Sequence, residues 1–148
     1  MLLYSQCSLK FISFDNLIIL EEYIMIYIID DDVSVIRAFG IFLKSAGLEF
    51  NSFESADNFL LGYKPANNDL IVLDLNLPGM NGSDLLKKLT RDNIHIPVIV
   101  VTAHDEPQSR QSCKEYGVLA YLRKPVDGEA LIDIIKYQFG NENTLTIN

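Results

Sequence analysis

Leu70-Ile71-Val72-Leu73-Asp74-Leu75-Asn76-Leu77-Pro78-Gly79-Met80-Asn81-Gly82 decides how this chain folds. Its first residues form a continuous apolar run with no polar face, which suits a central parallel strand covered on both sides. The run stops at a carboxylate, Asp74, and the turn dipeptides Pro78-Gly79 and Asn81-Gly82 carry the chain off the strand. Leu85, Leu86 and Leu89 then mark the buried side of a helix. Strand, turn and returning helix make one unit of an α/β sheet.

The same unit recurs on both sides. Upstream, Ile24 to Ile29 reads as the first strand. A helix follows over Val33 to Ser45, its apolar positions Val35, Ile36, Phe39, Phe42, Leu43 and Ala46 at helical spacing and Gly47 as its cap. Glu49 to Phe53 is a weaker strand, and Ser55 caps a short helix through Phe59, Leu60 and Leu61 before a loop over 62–68. Downstream, Pro97 to Val101 is a strand ending at Thr102, and Asp105-Glu106-Pro107 carries the signature of a helix start. That helix has only Cys113 and Tyr116 as large apolar or aromatic residues, so it is expected to be the least firmly anchored. Val118 to Leu122 is the last strand. It leads through Arg123-Lys124-Pro125 to an amphipathic helix bearing Ala130, Leu131, Ile134 and Ile135. Five strand–helix pairs in succession predict a doubly wound parallel sheet.

With 148 residues, 49% of them hydrophobic, one globular domain is expected. A formal net charge of −8 argues against direct nucleic-acid contact, which needs clustered Lys and Arg. The two cysteines, Cys7 and Cys113, lack the short spacings of a zinc site or redox pair and fit a reduced cytoplasmic setting. No stretch reads as a membrane span, because Leu17 to Ile29 is too short and contains Glu21 and Glu22. Residues 1–24 show no clear period and are expected to be a poorly ordered extension or a start set upstream of Met25. Residues 140–148 read as a polar, frayed tail.

The chemistry-bearing residues share one rim. Asp30 and Asp31 follow the first strand, Asp74 ends the third, Thr102 ends the fourth and Lys124 follows the fifth. In an open parallel sheet, ligands gather beyond these carboxyl ends. Asp30, Asp31 and Asp32 lie side by side, and such adjacent carboxylates favour proton uptake or a bound cation. Oxygen-only ligands suit a hard ion such as Mg2+.

This constellation resembles the receiver domain of response regulators. The resemblance rests on Ile28-Ile29-Asp30-Asp31-Asp32, the stretch Val72 to Gly82, Val100-Val101-Thr102-Ala103 and Lys124-Pro125. It covers 25–139 and implies a (βα)5 flavodoxin-like sheet with strand order 2-1-3-4-5. It further implies that Asp74 accepts a phosphoryl group from a histidine kinase or phosphotransfer protein. Mg2+ would be held by Asp31, Asp74 and the backbone carbonyl of Asn76, with Asp30 acting through a bound water. Lys124 would pair with Asp74 and then with a phosphoryl oxygen, Thr102 would donate to another, and a cis bond would precede Pro125. Thr102 and Tyr121 would be the switch residues, and the fourth helix, fifth strand and fifth helix the face read by a downstream protein. Similar receivers usually precede a helix-turn-helix output domain, and none is expected within these 148 residues.

Other readings stand beside these. Asp32 reads as the N-cap of the first helix, leaving Asp30 and Asp31 as the working pair. Tyr121 suits core packing as well as a switch. His104 is either an influence on attacking water or a surface loop residue. A receiver-like module independent of phosphate is disfavoured because no phosphorylation residue is missing. A haloacid-dehalogenase-type phosphatase would need a second acid where Asn76 stands.

Overall fold

The computed structural model describes residues 9–14, 17–22 and 24–140. In chain order the elements are β1 (Leu9–Phe14), β2 (Leu17–Glu22), β3 (Met25–Ile29), α1 (Val33–Ser45), β4 (Glu49–Phe53), α2 (Ala56–Gly62), β5 (Asp69–Leu73), α3 (Gly82–Arg91), β6 (Val98–Thr102), α4 (Pro107–Tyr116), β7 (Ala120–Arg123) and α5 (Gly128–Gly140). Strands β3 to β7 form a parallel sheet in the order β4-β3-β5-β6-β7, which is 2-1-3-4-5 when these strands are counted alone.

Side-chain alternation along the strands sorts the core into two layers. Tyr27 and Ile29 of β3, Ile71 and Leu73 of β5, and Val98 and Val100 of β6 face one side, where Phe59 of α2, Leu85, Leu86 and Leu89 of α3 and Cys113 of α4 cover them. Ile26, Ile28, Leu70, Val72, Ile99 and Val101 face the other, against Phe39 and Leu43 of α1 and Leu131, Ile132 and Ile135 of α5. Strands β5 and β6 are buried along their whole length, including Asp69 and Thr102 at the ends of their apolar runs. Cys113 is the one fully buried position of α4, in keeping with its poor apolar face.

The caps follow local chemistry. Asp32 accepts from the Ser34 amide, Ser55 from Asn58 and Asn81 from Asp84 at the starts of α1, α2 and α3. Helix α4 differs: it opens at Glu106 with Pro107 in its first turn but makes no side-chain cap hydrogen bond. Strand β7 starts two residues later than the apolar run suggests, because the Val118 amide donates to the Cys113 carbonyl and so still closes α4.

No element is expected before Ile24, yet Leu9–Phe14 and Leu17–Glu22 pair antiparallel, with Ile12 opposite Ile19. This two-stranded sheet shares no ladder with the larger one. Of the polar tail, Gly140 ends α5 and residues 141–148 lie outside the described residues.

The turn after β5 brings α3 against the strand end. Gly79 takes φ of 73°, a left-handed value that suits glycine. A Cβ on Gly82 would stand 2.6 Å from both the Asp74 carbonyl oxygen and Leu75 Cα, so no larger residue fits without backbone movement. Gly82→Ala is expected to lower stability by about 1–3 kcal/mol, read as a lower urea midpoint at unchanged m. Ser83→Ala, one residue on, should stay within about 0.5 kcal/mol of the parent. Equal midpoints for the two variants would show that the turn yields.

Candidate functional site

Three of the site residues sit where a strand ladder ends. The Asp30 amide donates to Phe53, the Asp74 amide to Ile29 and the Lys124 amide to Thr102, at 3.1, 2.9 and 2.9 Å. Each side chain therefore leaves from a backbone held on a neighbouring strand. Asp30, Asp74 and Thr102 are buried, at 2%, 6% and 1% exposure, although all are polar.

The Lys124 ammonium joins them. Its Nζ donates to Asp30 Oδ2 at 2.7 Å and to Asp74 Oδ2 at 2.9 Å. The opposite carboxylate oxygens are also occupied, Asp30 Oδ1 by the Asp32 amide at 2.9 Å and Asp74 Oδ1 by the Asn76 amide at 3.0 Å. Asp31 is exposed at the mouth, and one carboxylate oxygen each from Asp30, Asp31 and Asp74 lies within 4.8 Å of the others. This all-oxygen set fits a hard divalent cation, which tolerates few protein ligands because it keeps several waters. The Lys124–Pro125 bond is cis.

Burial and pairing pull these groups in different directions. Desolvation raises the Asp30 carboxyl above its usual range, and Asp74 adds to this, while Lys124 and the Asp32 amide only partly offset it. Burial also opposes the Lys124 charge, yet hydrogen bonds and attraction from Asp30 and Asp74 outweigh it and hold the ammonium above its usual value. The asymmetry is physical. One cation serves two carboxylates, so it gains twice while they share it.

Around this centre, Thr102 Oγ1 donates to the His104 carbonyl at 3.1 Å and accepts from the His104 amide at 3.2 Å. Tyr121 is half-buried: its ring packs against the α2–α3–α4 side of the core, and its hydroxyl donates to Asp105 Oδ1 at 3.4 Å. It is thus both a packing residue and a polar contact. His95 lies in the loop before Pro97 and contacts Asn93 at 2.9 Å, away from the rim. Asp105 and Arg110 are the pair that sequence reasoning missed. Asp105 stands just before α4, as its helix-start signature predicts, and the Arg110 Nε and Nη2 both donate to its carboxylate there. The only signal in the sequence is an acid and a base five positions apart, which is common on solvated helices.

The sign of the Asp30 shift makes a test. Because its folded-state pKa lies above 3.8, the folded form binds more protons than the unfolded chain just above that value, and stability falls as pH rises through this window. At neutral pH the ionised carboxyl is a net cost. Asp30→Asn, which keeps Lys124 paired with Asp74, should raise the unfolding free energy at pH 7. The gain should disappear below about pH 3.8. Chemical denaturation across pH reads it, and a loss of stability at pH 7 would overturn the assignment.

Comparison with known proteins agrees with this geometry. The model of the response regulator receiver domain matches residues 26–136. Nodulation protein W of Bradyrhizobium diazoefficiens is 33% identical over 111 residues, 75% of this chain and 49% of that protein. Transcriptional regulatory protein FixJ of Azorhizobium caulinodans is 32% identical over 121 residues, 82% of this chain and 57% of that one. The chain thus spans about half the length of these curated relatives. Among solved structures, response regulator StyR superposes with a TM-score of 0.73 at 34% identity, covering 81% of this chain and 62% of that one. A CheY-like receiver domain protein from Methanospirillum hungatei gives 0.73 at 26%, covering 80% and 95%. A model matched over most of the chain and a fold shared with solved receiver structures lead to one conclusion: this chain belongs to the response regulator receiver domain family of two-component systems.

Proposed function

We propose that residues 25–139 are a phosphoacceptor that takes a phosphoryl group from a histidine kinase or phosphotransfer protein onto Asp74 and signals through a changed protein-binding face. The contact of Lys124 Nζ with both Asp30 and Asp74 carries this reading, because it sets a cation beside a buried carboxylate on the ligand-binding edge of the sheet.

A carboxylate oxygen of Asp74 attacks the phosphorus of a phosphohistidine. The new P–O bond forms as the P–N bond breaks, and the imidazole leaves with the electron pair and takes a proton from solvent. The transferred group is highly charged, so positioning and charge neutralisation carry most of the catalysis. Asp31, Asp74 and the Asn76 carbonyl would hold Mg2+, with Asp30 acting through a bound water, and the bound ion would neutralise charge on the phosphoryl oxygens. Lys124 pairs with Asp74 before transfer and afterwards with a phosphoryl oxygen. Thr102 gives up its bonds to His104 and donates to another oxygen. The movement leaves space for the Tyr121 ring to turn inward, which shifts α4, β7 and α5 between two arrangements.

The domain acts on its own phosphorylation and dephosphorylation and on no separate substrate. Its net charge of −8 favours output by protein contact over direct nucleic-acid binding by these residues, and a reduced cytoplasmic setting suits its free Cys113. No helix among the described residues is long and apolar enough to cross a membrane.

Incubation with acetyl phosphate and Mg2+ should place one hydroxylamine-labile phosphate on Asp74. Chelation of the metal or Asp74→Asn should abolish it. An unlabelled parent protein, or undiminished labelling of Asp74→Asn elsewhere, would sink the proposal. Removal of residues 1–24 should leave the labelling rate within about twofold, a change worth only about 0.4 kcal/mol. A large loss would give the N-terminal stretch a part in the site.

A further inference from the structure

Loop 103–106 holds both residues assigned to the switch. Thr102, directly before it, exchanges two hydrogen bonds with the His104 backbone. Asp105 receives the Tyr121 hydroxyl at 3.4 Å. The same carboxylate is gripped through both oxygens by the Arg110 guanidinium, whose Cζ also lies 5.1 Å from the centroid of the Tyr121 ring. Asp105, Arg110 and Tyr121 therefore close a triangle in which each member touches the other two.

We propose that Arg110 is a positioning residue: acting through Asp105, it latches Tyr121 and loop 103–106 in the unphosphorylated arrangement, and so sets how readily Asp74 is phosphorylated. This rests on the phosphoacceptor reading above.

The geometry explains why one exposed arginine matters. A bidentate guanidinium–carboxylate pair fixes orientation as well as distance, and Arg in place of a point charge also stacks on an aromatic face. Helix α4 buries only Cys113 fully and has no side-chain cap at its start, so little else ties its first turn to β7. Arg110 is near that first turn, Asp105 just ahead of it and Tyr121 on the strand beside it. Phosphorylation draws Thr102 away from His104 and pulls on the loop that carries Asp105. The latch opposes that pull. Arg110 also holds the Asp105 carboxyl below its usual range, so the pair stays charged through the neutral region.

Arg110→Gln removes the ionic half of the latch on a side chain that is mostly exposed, and Asp105→Asn removes the other half. Each should raise the rate of Asp74 labelling by acetyl phosphate and Mg2+ by about threefold to tenfold, equivalent to about 0.7–1.4 kcal/mol. Arg110→Lys, which keeps the charge but loses the fork, should fall between parent and Arg110→Gln. In a Tyr121→Ala background, Arg110→Gln should change the rate less than about twofold, since the residue it acts through is gone. A purely structural role would lower stability without this dependence on Tyr121. In the unphosphorylated protein, the Tyr121 ring resonances, assigned by their loss in Tyr121→Phe, should move in Arg110→Gln. Labelling of the parent with no acceleration in either variant, or equal acceleration with and without Tyr121, would overturn the latch alone. Absence of labelling in the parent and every variant would overturn the phosphoacceptor reading on which it rests.

Discussion

Two carboxylates, Asp30 and Asp74, are held nearly out of water at the ends of adjacent strands, and a single ammonium from β7's exit makes that tolerable. Charges buried without partners are costly, and pairing with hydrogen bonding offsets part of that cost. Lys124 lies 94 residues from one partner and 50 from the other. The contact can therefore exist only when β3, β5 and β7 are in register within one sheet. Site and fold are the same constraint seen at two scales. The two acids remain incompletely compensated, which leaves room for a further cation.

The sheet makes this rim possible because the middles of its central strands take no polar groups. Between Leu70 and Leu73 in β5 and between Val98 and Val101 in β6 the strands are apolar on both faces and fully covered, so Asp74 and Thr102 stand where each apolar run stops. Backbone hydrogen bonds from Asp30, Asp74 and Lys124 to neighbouring strands carry the ladder one step further and set the side chains before any ligand arrives. Gly82, pressed against the backbone of Asp74 and Leu75, ties the start of α3 to the same edge.

The region beyond Thr102 is built differently. Helix α4 has a thin apolar face, a start without a side-chain cap and a charged latch to β7, so polar contacts do what burial does elsewhere. Such contacts exchange readily with water and with other charges. A segment fastened this way can have two arrangements of similar free energy, while the rest of the domain keeps one.

Much of this was legible in residue order. The alternation of apolar runs with helical periods predicted the parallel sheet, and Asp32, Ser55 and Pro107 marked helix starts because capping is local chemistry. The common rim of Asp30, Asp31, Asp74, Thr102 and Lys124 followed from strand ends alone. Less legible were the strands of residues 9–14 and 17–22, whose mixed pattern has no period, and the start of β7, where Val118 closes α4 before the strand begins.

The sequence by itself determined which residues reach the edge, because hydrophobic period and strand termination are properties of neighbouring residues. Only the tertiary structure decided how they pair. Lys124 bridges Asp30 as well as Asp74, Thr102 is turned to His104, and Asp105, at the start of α4, joins Arg110 and Tyr121. These choices depend on distances between separate strands and helices, and no local pattern encodes them.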